Sequence, residues 1–215
     1  MRAGAIGGDP RSATVRRGKL LETATIAYNC LEGLVAIVAG LVAGSIALVG
    51  FGVDSAIEVA SGCALFWRLS LDDDVTRRER VERLSHRFVG WCFLVLAAYV
   101  AFDAAGSLVR REAPDESIPG IVLAAVSLVV MPLLVRAKRR VADALSSNAM
   151  HADARQTELC TYLSAILLGG LTLNAVFGWW WADPVAALVM VPIIAKDGID
   201  ALRGKDCCSK ESCPG

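Results

Sequence analysis

The sequence has no glycine-rich phosphate loop, no arrangement of a nucleophile with its base, no C-x-x-C pair and no solenoid-type repeat. These absences speak against phosphate cradling, covalent hydrolysis, thiol–disulfide chemistry and stacked-repeat binding surfaces, so no enzyme activity is expected. Nothing supports nucleic-acid binding. Histidine is scarce, with two in 215 residues, which leaves little that titrates near neutral pH. A signal-peptide pattern is also missing. The opening stretch MRAGAIGGDPRSATVRRGK is polar, and the apolar block after it is far too long for a cleaved core.

Apolar residues are plentiful. They make up 55% of the chain, with a mean hydropathy of +0.51, against roughly 45–50% in soluble domains. Their distribution matters more than the total. Apolar blocks alternate with short charged segments, and several reach the roughly 17–25 residues that cross a bilayer as a helix. The pattern predicts an all-α membrane bundle of six spans, at about Glu22–Val42, Ser45–Trp67, Phe88–Val109, Ile118–Val135, Ala149–Leu173 and Trp179–Ala195. The short turn AGSIA makes a hairpin of the first two. Residues 1–18 are expected to be a flexible tail, 19–204 the membrane domain and 205–215 a second tail.

Basic residues fall on one side. Arg16, Arg17 and Lys19 precede the first span, Arg77, Arg78 and Arg80 follow the second, and the cluster RAKRR follows the fourth. The other side carries only Arg110 and Arg111. Positive charge favours the cytoplasm, so both termini are expected there, in the cell membrane, with RAKRR an orientation signal in contact with anionic lipid. Trp179–Trp181 suits the outer interfacial belt.

Against this apolar background, Asp54 and Glu58 stand out. They are four residues apart, on one helix face. Charges at membrane depth are costly and persist where they face a wet cavity or one another. A divalent cation would relieve the repulsion between them, as would one or two protons. The pair therefore reads as an exchange site, with a protonated pair bonded to Ser or Thr as the structural alternative. Other polar groups at span depth are accessory candidates: Asn29, Glu32, Asp103, His151 and Asp153. Asp103 fits a helix–helix anchor and an outer vestibule equally well. Asp183 before Pro184 looks like the N-cap of its own helix. Cys30, Cys63 and Cys92 read as small apolar fillers.

The run YNCLEGLVAIVAGLVAGSIALVGFGVDSAIEVASGCALFWRL resembles the first two spans of cation diffusion facilitator transporters. ADARQTELCTYLSAILLGGL and ADPVAALVMVPIIAKDGIDAL continue the likeness, over about Lys19 to Gly204. The resemblance implies six transmembrane helices, export of divalent metals against protons, and a dimer. It places the metal ligands at Asp54 and Glu58 in span two and at Gln156 and Cys160 in span five. Those last two positions usually hold His and Asp. Carboxylate with thiolate suits zinc or a softer ion such as cadmium, with cobalt, iron and manganese as further candidates. Many relatives continue into a cytoplasmic metal-binding domain; here a short tail with Cys207, Cys208 and Cys213 follows. That tail suits metal capture, lipid attachment or no specific role. The functional expectation is a proton-coupled divalent-metal exporter; the alternative is a membrane scaffold or metal-responsive partner that keeps the fold without the flux.

Overall fold

In the computed structural model, which describes residues 10–70, 75–112 and 114–203, the described residues form six helices: α1 (Pro10–Ala43), α2 (Ile46–Ser70), α3 (Val75–Arg110), α4 (Ile118–Leu145), α5 (Asn148–Phe177) and α6 (Ala182–Leu202). The described residues contain no strand. The cysteines of the second tail lie outside the described residues. α1 already begins at Pro10, so the helix includes residues before Lys19, and α4 runs well past Val135.

Among the described residues, five helices, α1 to α5, are long and apolar enough to cross a membrane by length and composition. α6 carries Asp183, Lys196, Asp197 and Asp200, yet packs inside the same bundle against α3, α5 and α2. The exterior explains the arrangement. Leu31, Leu34 and Leu41 of α1, Trp91, Val95 and Phe102 of α3, and Val122, Val129 and Leu133 of α4 all face outward. A water-soluble helix turns such a stripe inward. Here the polar side chains turn inward: Glu22, Asn29, Glu32, Asp54, Glu58, Lys138 and Asp153 are buried. This is the packing of a bundle whose solvent is lipid.

Turn chemistry sets the connections. Gly44, at φ +68°, lets the α1–α2 hairpin close in two residues. Ser117 caps α4 by accepting from the Gly120 amide at 3.2 Å, and Ser147 caps α5 by accepting from the Met150 amide at 3.4 Å. Asp183 departs from expectation. The N-cap of α6 is Trp181, without a side-chain bond. The Asp183 carboxylate instead accepts from Ser45 Oγ (2.5 Å) and the Ile46 amide (3.0 Å). It caps α2, because the first turn of α6 brings this carboxylate to the free amides at the start of that helix.

Small residues bring helices close. The carbonyl of Gly198 on α6 lies 2.9 Å from where a Cβ on Gly90 of α3 would stand, and the converse distance is also 2.9 Å. Gly90→Ala is expected to force α3 from α6 and cost about 1–3 kcal/mol, read as a lower midpoint in thermal unfolding of the micelle-solubilised protein. An unchanged midpoint would refute this contact.

Candidate metal site between α2 and α5

The carboxylates meet α5 in the middle of the bundle. Asp54 and Glu58 lie one turn apart on α2, the most enclosed of the five apolar spans. The Cys160 thiol of α5 stands 3.2 Å from Asp54 Oδ2 and 3.0 Å from Glu58 Oε2 and donates to the pair. Thr157, one turn earlier on α5, donates to Glu58 Oε1 at 2.6 Å. All four side chains are buried. The structure thus brings three of the candidate ligands, Asp54, Glu58 and Cys160, together across two helices. Among the described residues, no group of three or more His, Cys, Asp and Glu side chains is already arranged as a metal cage; in this conformation the Cys160 thiol hydrogen-bonds to both carboxylates.

The remaining positions divide. Gln156 is half-buried, and its Nε2 is enclosed without a hydrogen-bond partner. Asn29 is buried with both amide atoms unpartnered. The antiparallel register of α1 and α2, with Gly33 against Ser55 and Ile26 against Gly62, sets Asn29 at the height of Glu58. Unpartnered amides at this depth are costly, so both are groups a further ligand would satisfy.

Glu32 belongs to a neighbouring hydroxyl cluster. It accepts from Ser55 Oγ at 2.9 Å and from Ser127 Oγ, and Tyr28 bonds Ser127 at 2.8 Å. The cluster ties α1, α2 and α4 together. Asp153 is engaged by Lys138, whose Nζ donates to Asp153 Oδ2 at 2.5 Å. His151 lies at the α4–α5 turn, 3.3 Å from Asp143. Asp103 is half-buried beside Tyr99, one turn before it on α3. The structure brings neither His151 nor Asp103 into hydrogen-bond contact with the acidic pair.

Several contributors carried no sequence signal. Thr157 is an ordinary residue in an apolar helix. Asp197 of α6 lies within electrostatic reach of Asp54, and it lines a cleft of about 440 Å³ between α5 and α6 with Arg155, Glu158, Tyr162, Lys196 and Asp200. Lys138 corrects an expectation. It is not a lipid-facing member of RAKRR, since its side chain is fully enclosed while Arg139 and Arg140 remain exposed. The signal was its spacing: Met131, Val135, Lys138 and Ala142 form one buried stripe of α4.

A helical bundle with an apolar exterior and carboxylates in its core has the architecture of an integral membrane protein. Within that class, the chain belongs to the cation efflux family, whose transmembrane domain matches residues 23–204. It is 29% identical over 157 residues to an uncharacterized transporter of Synechocystis sp., covering 68% of this chain and 49% of that protein. It is 28% identical over 109 residues to the cation-efflux pump FieF of Shewanella oneidensis, covering 50% and 36%. It is 24% identical over 186 residues to the magnetosome protein MamB of Paramagnetospirillum magneticum, covering 84% and 61%. The chain spans about half the length of the curated relatives it matches.

Proposed function

We propose that this chain carries a divalent metal cation out of the cytoplasm, in exchange for protons, through a site formed by Asp54, Glu58 and Cys160 with Gln156 beside them. The observation that carries this reading is the meeting of two carboxylates and a thiol at 3.0–3.2 Å in the core of a lipid-exposed bundle. Protons released from these groups would make room for an ion on the same atoms, so metal and proton compete for one place. Carboxylate with thiolate favours zinc or a similarly soft ion over magnesium or calcium. The charged cleft between α5 and α6 is lined by Asp197, which lies within electrostatic reach of Asp54, and it would serve as the approach to the site. Family membership and the likeness to a cation-efflux pump support the direction of transport. The same reading puts the chain in the cell membrane as a homodimer.

The test is a metal panel in proteoliposomes under a pH gradient, comparing the natural protein with Cys160→Asp and Gln156→His. Zinc flux driven by the gradient is expected for the natural protein. Cys160→Asp should shift preference towards harder ions such as manganese by about tenfold, since thiolate selects soft metals. No flux of any metal from the purified protein would overturn the reading and favour the scaffold alternative.

A further inference from the structure

A second buried cluster of charge lies one to two turns from the acidic pair, towards the end of the bundle where α1 and α5 begin. Lys138 of α4, Asp153 of α5 and Glu22 of α1 meet there, all buried. Lys138 Nζ is 2.5 Å from Asp153 Oδ2 and 3.5 Å from Glu22 Oε2. One ammonium faces two carboxylates, so the fully ionised cluster keeps one excess negative charge in a dry interior, which is expensive. Three carboxylate oxygens are also left without a hydrogen-bond partner: both of Glu22, and Oδ1 of Asp153.

One ligand cures both defects. A proton on a Glu22 oxygen, donated to Asp153 Oδ1, cancels the excess charge and gives two of the three orphan oxygens a partner at once. A second metal ion is a poor alternative, because the Lys138 ammonium already stands against both carboxylates. We propose that Glu22 and Asp153 share one bound proton beside Lys138, as an ion site separate from Asp54, Glu58 and Cys160.

The two sites are wired together. Lys138 Nζ also donates to Thr157 Oγ1 at 3.1 Å, and the same hydroxyl donates to Glu58 Oε1 at 2.6 Å. A doubly charged ion at Glu58 pushes positive charge away along this line, so metal loading favours release of the shared proton. That coupling rests on the transport reading; the proton site itself does not. Glu22 faces Lys138 from α4 and Asp153 from α5, while Glu58 from α2 acts on Lys138. The α2 residue packed against Glu22 is Gly62, and α6, packed on α5, brings Lys196, Asp197 and Asp200.

The test is infrared spectroscopy of the full chain in lipid vesicles, following the carboxylic-acid C=O stretch over pH with and without zinc chloride. The natural protein is expected to keep a protonated-carboxyl signal at neutral pH. That signal should fall by one residue's share in both Glu22→Gln and Asp153→Asn, since either change leaves a single carboxylate paired with Lys138. Zinc should release one proton more from the natural protein than from either variant. If Glu22→Gln fails to insert, Asp153→Asn reads the same pair. Identical signals in the natural protein and the variants would overturn the proposal. A natural protein whose spectrum ignores zinc would count against the transport reading, while the pH titration still decides the proton pair.

Discussion

Asp54→Ala is expected to abolish metal flux, by at least about 100-fold in initial rate, while the protein still inserts into the membrane. Loss of an outer-shell partner alone typically costs about 10–100-fold in metal affinity or activity, and Asp54 is proposed to touch the ion. The change removes one of two carboxylates and leaves Cys160 donating to Glu58 only. It removes only the atoms of one carboxyl group from a helix held by α1, α3, α5 and α6, so folding should survive. Radiometric or fluorescent zinc uptake into vesicles, normalised to inserted protein, reads the outcome. Flux within twofold of the natural protein would dismiss Asp54 as a ligand. Asp54→Asn separates charge from shape: it keeps an oxygen near Cys160 but cannot be ionised, and its flux should stay close to that of the alanine variant.

The acidic pair was legible because chemistry and spacing coincide. Two carboxylates four residues apart in an apolar run have few cheap explanations. The hairpin was legible too, since a turn of Gly44 and Ser45 leaves no choice but antiparallel neighbours. Which helix would bring the partner thiol was a different matter. Cys160 could be placed through likeness to a family, because no local pattern says that α5 rather than α3 or α4 lies against α2. The α3–α6 pairing was equally hidden, as it depends on Gly90 and Gly198 meeting backbone to backbone. Asp183 had the right chemistry and the wrong helix. An Asp-Pro start resembles a cap from within the sequence, but the α1–α2 turn lies close enough to take the carboxylate.

Glu22, Lys138 and Thr157 escaped for a shared reason. Each sits where a bland account suffices: Glu22 at the edge of an apolar block, Lys138 in a basic cluster, Thr157 in the middle of a helix. A basic cluster beside a span normally marks the cytoplasmic headgroup zone, and Arg139 and Arg140 do stay exposed there. Only the helical stripe through Met131, Val135 and Ala142 separates Lys138 from them.

Lys138→Met tests that separation directly. If the ammonium is the sole cation beside Glu22 and Asp153, removing it leaves the one negative charge of the proton-sharing pair buried without a counter-ion, and the expected loss is about 3–5 kcal/mol of stability. Were Lys138 an exposed charge like its neighbours, the change would fall within about 0.5 kcal/mol. The two outcomes are far enough apart for thermal unfolding in micelles, followed by size-exclusion chromatography, to tell them apart. The triple variant Glu22→Gln, Lys138→Met, Asp153→Asn supplies the control. It removes the ammonium and both carboxyl groups together, so no ion is stranded, and it should regain most of the stability lost in the single variant, because a neutral core of similar volume often matches or exceeds a buried ion pair. Recovery in the triple variant would assign the loss to charge rather than to the packing of a long side chain. A triple variant as unstable as Lys138→Met would instead make the aliphatic stem of Lys138, wedged between α1, α4 and α5, the feature that holds this end of the bundle together.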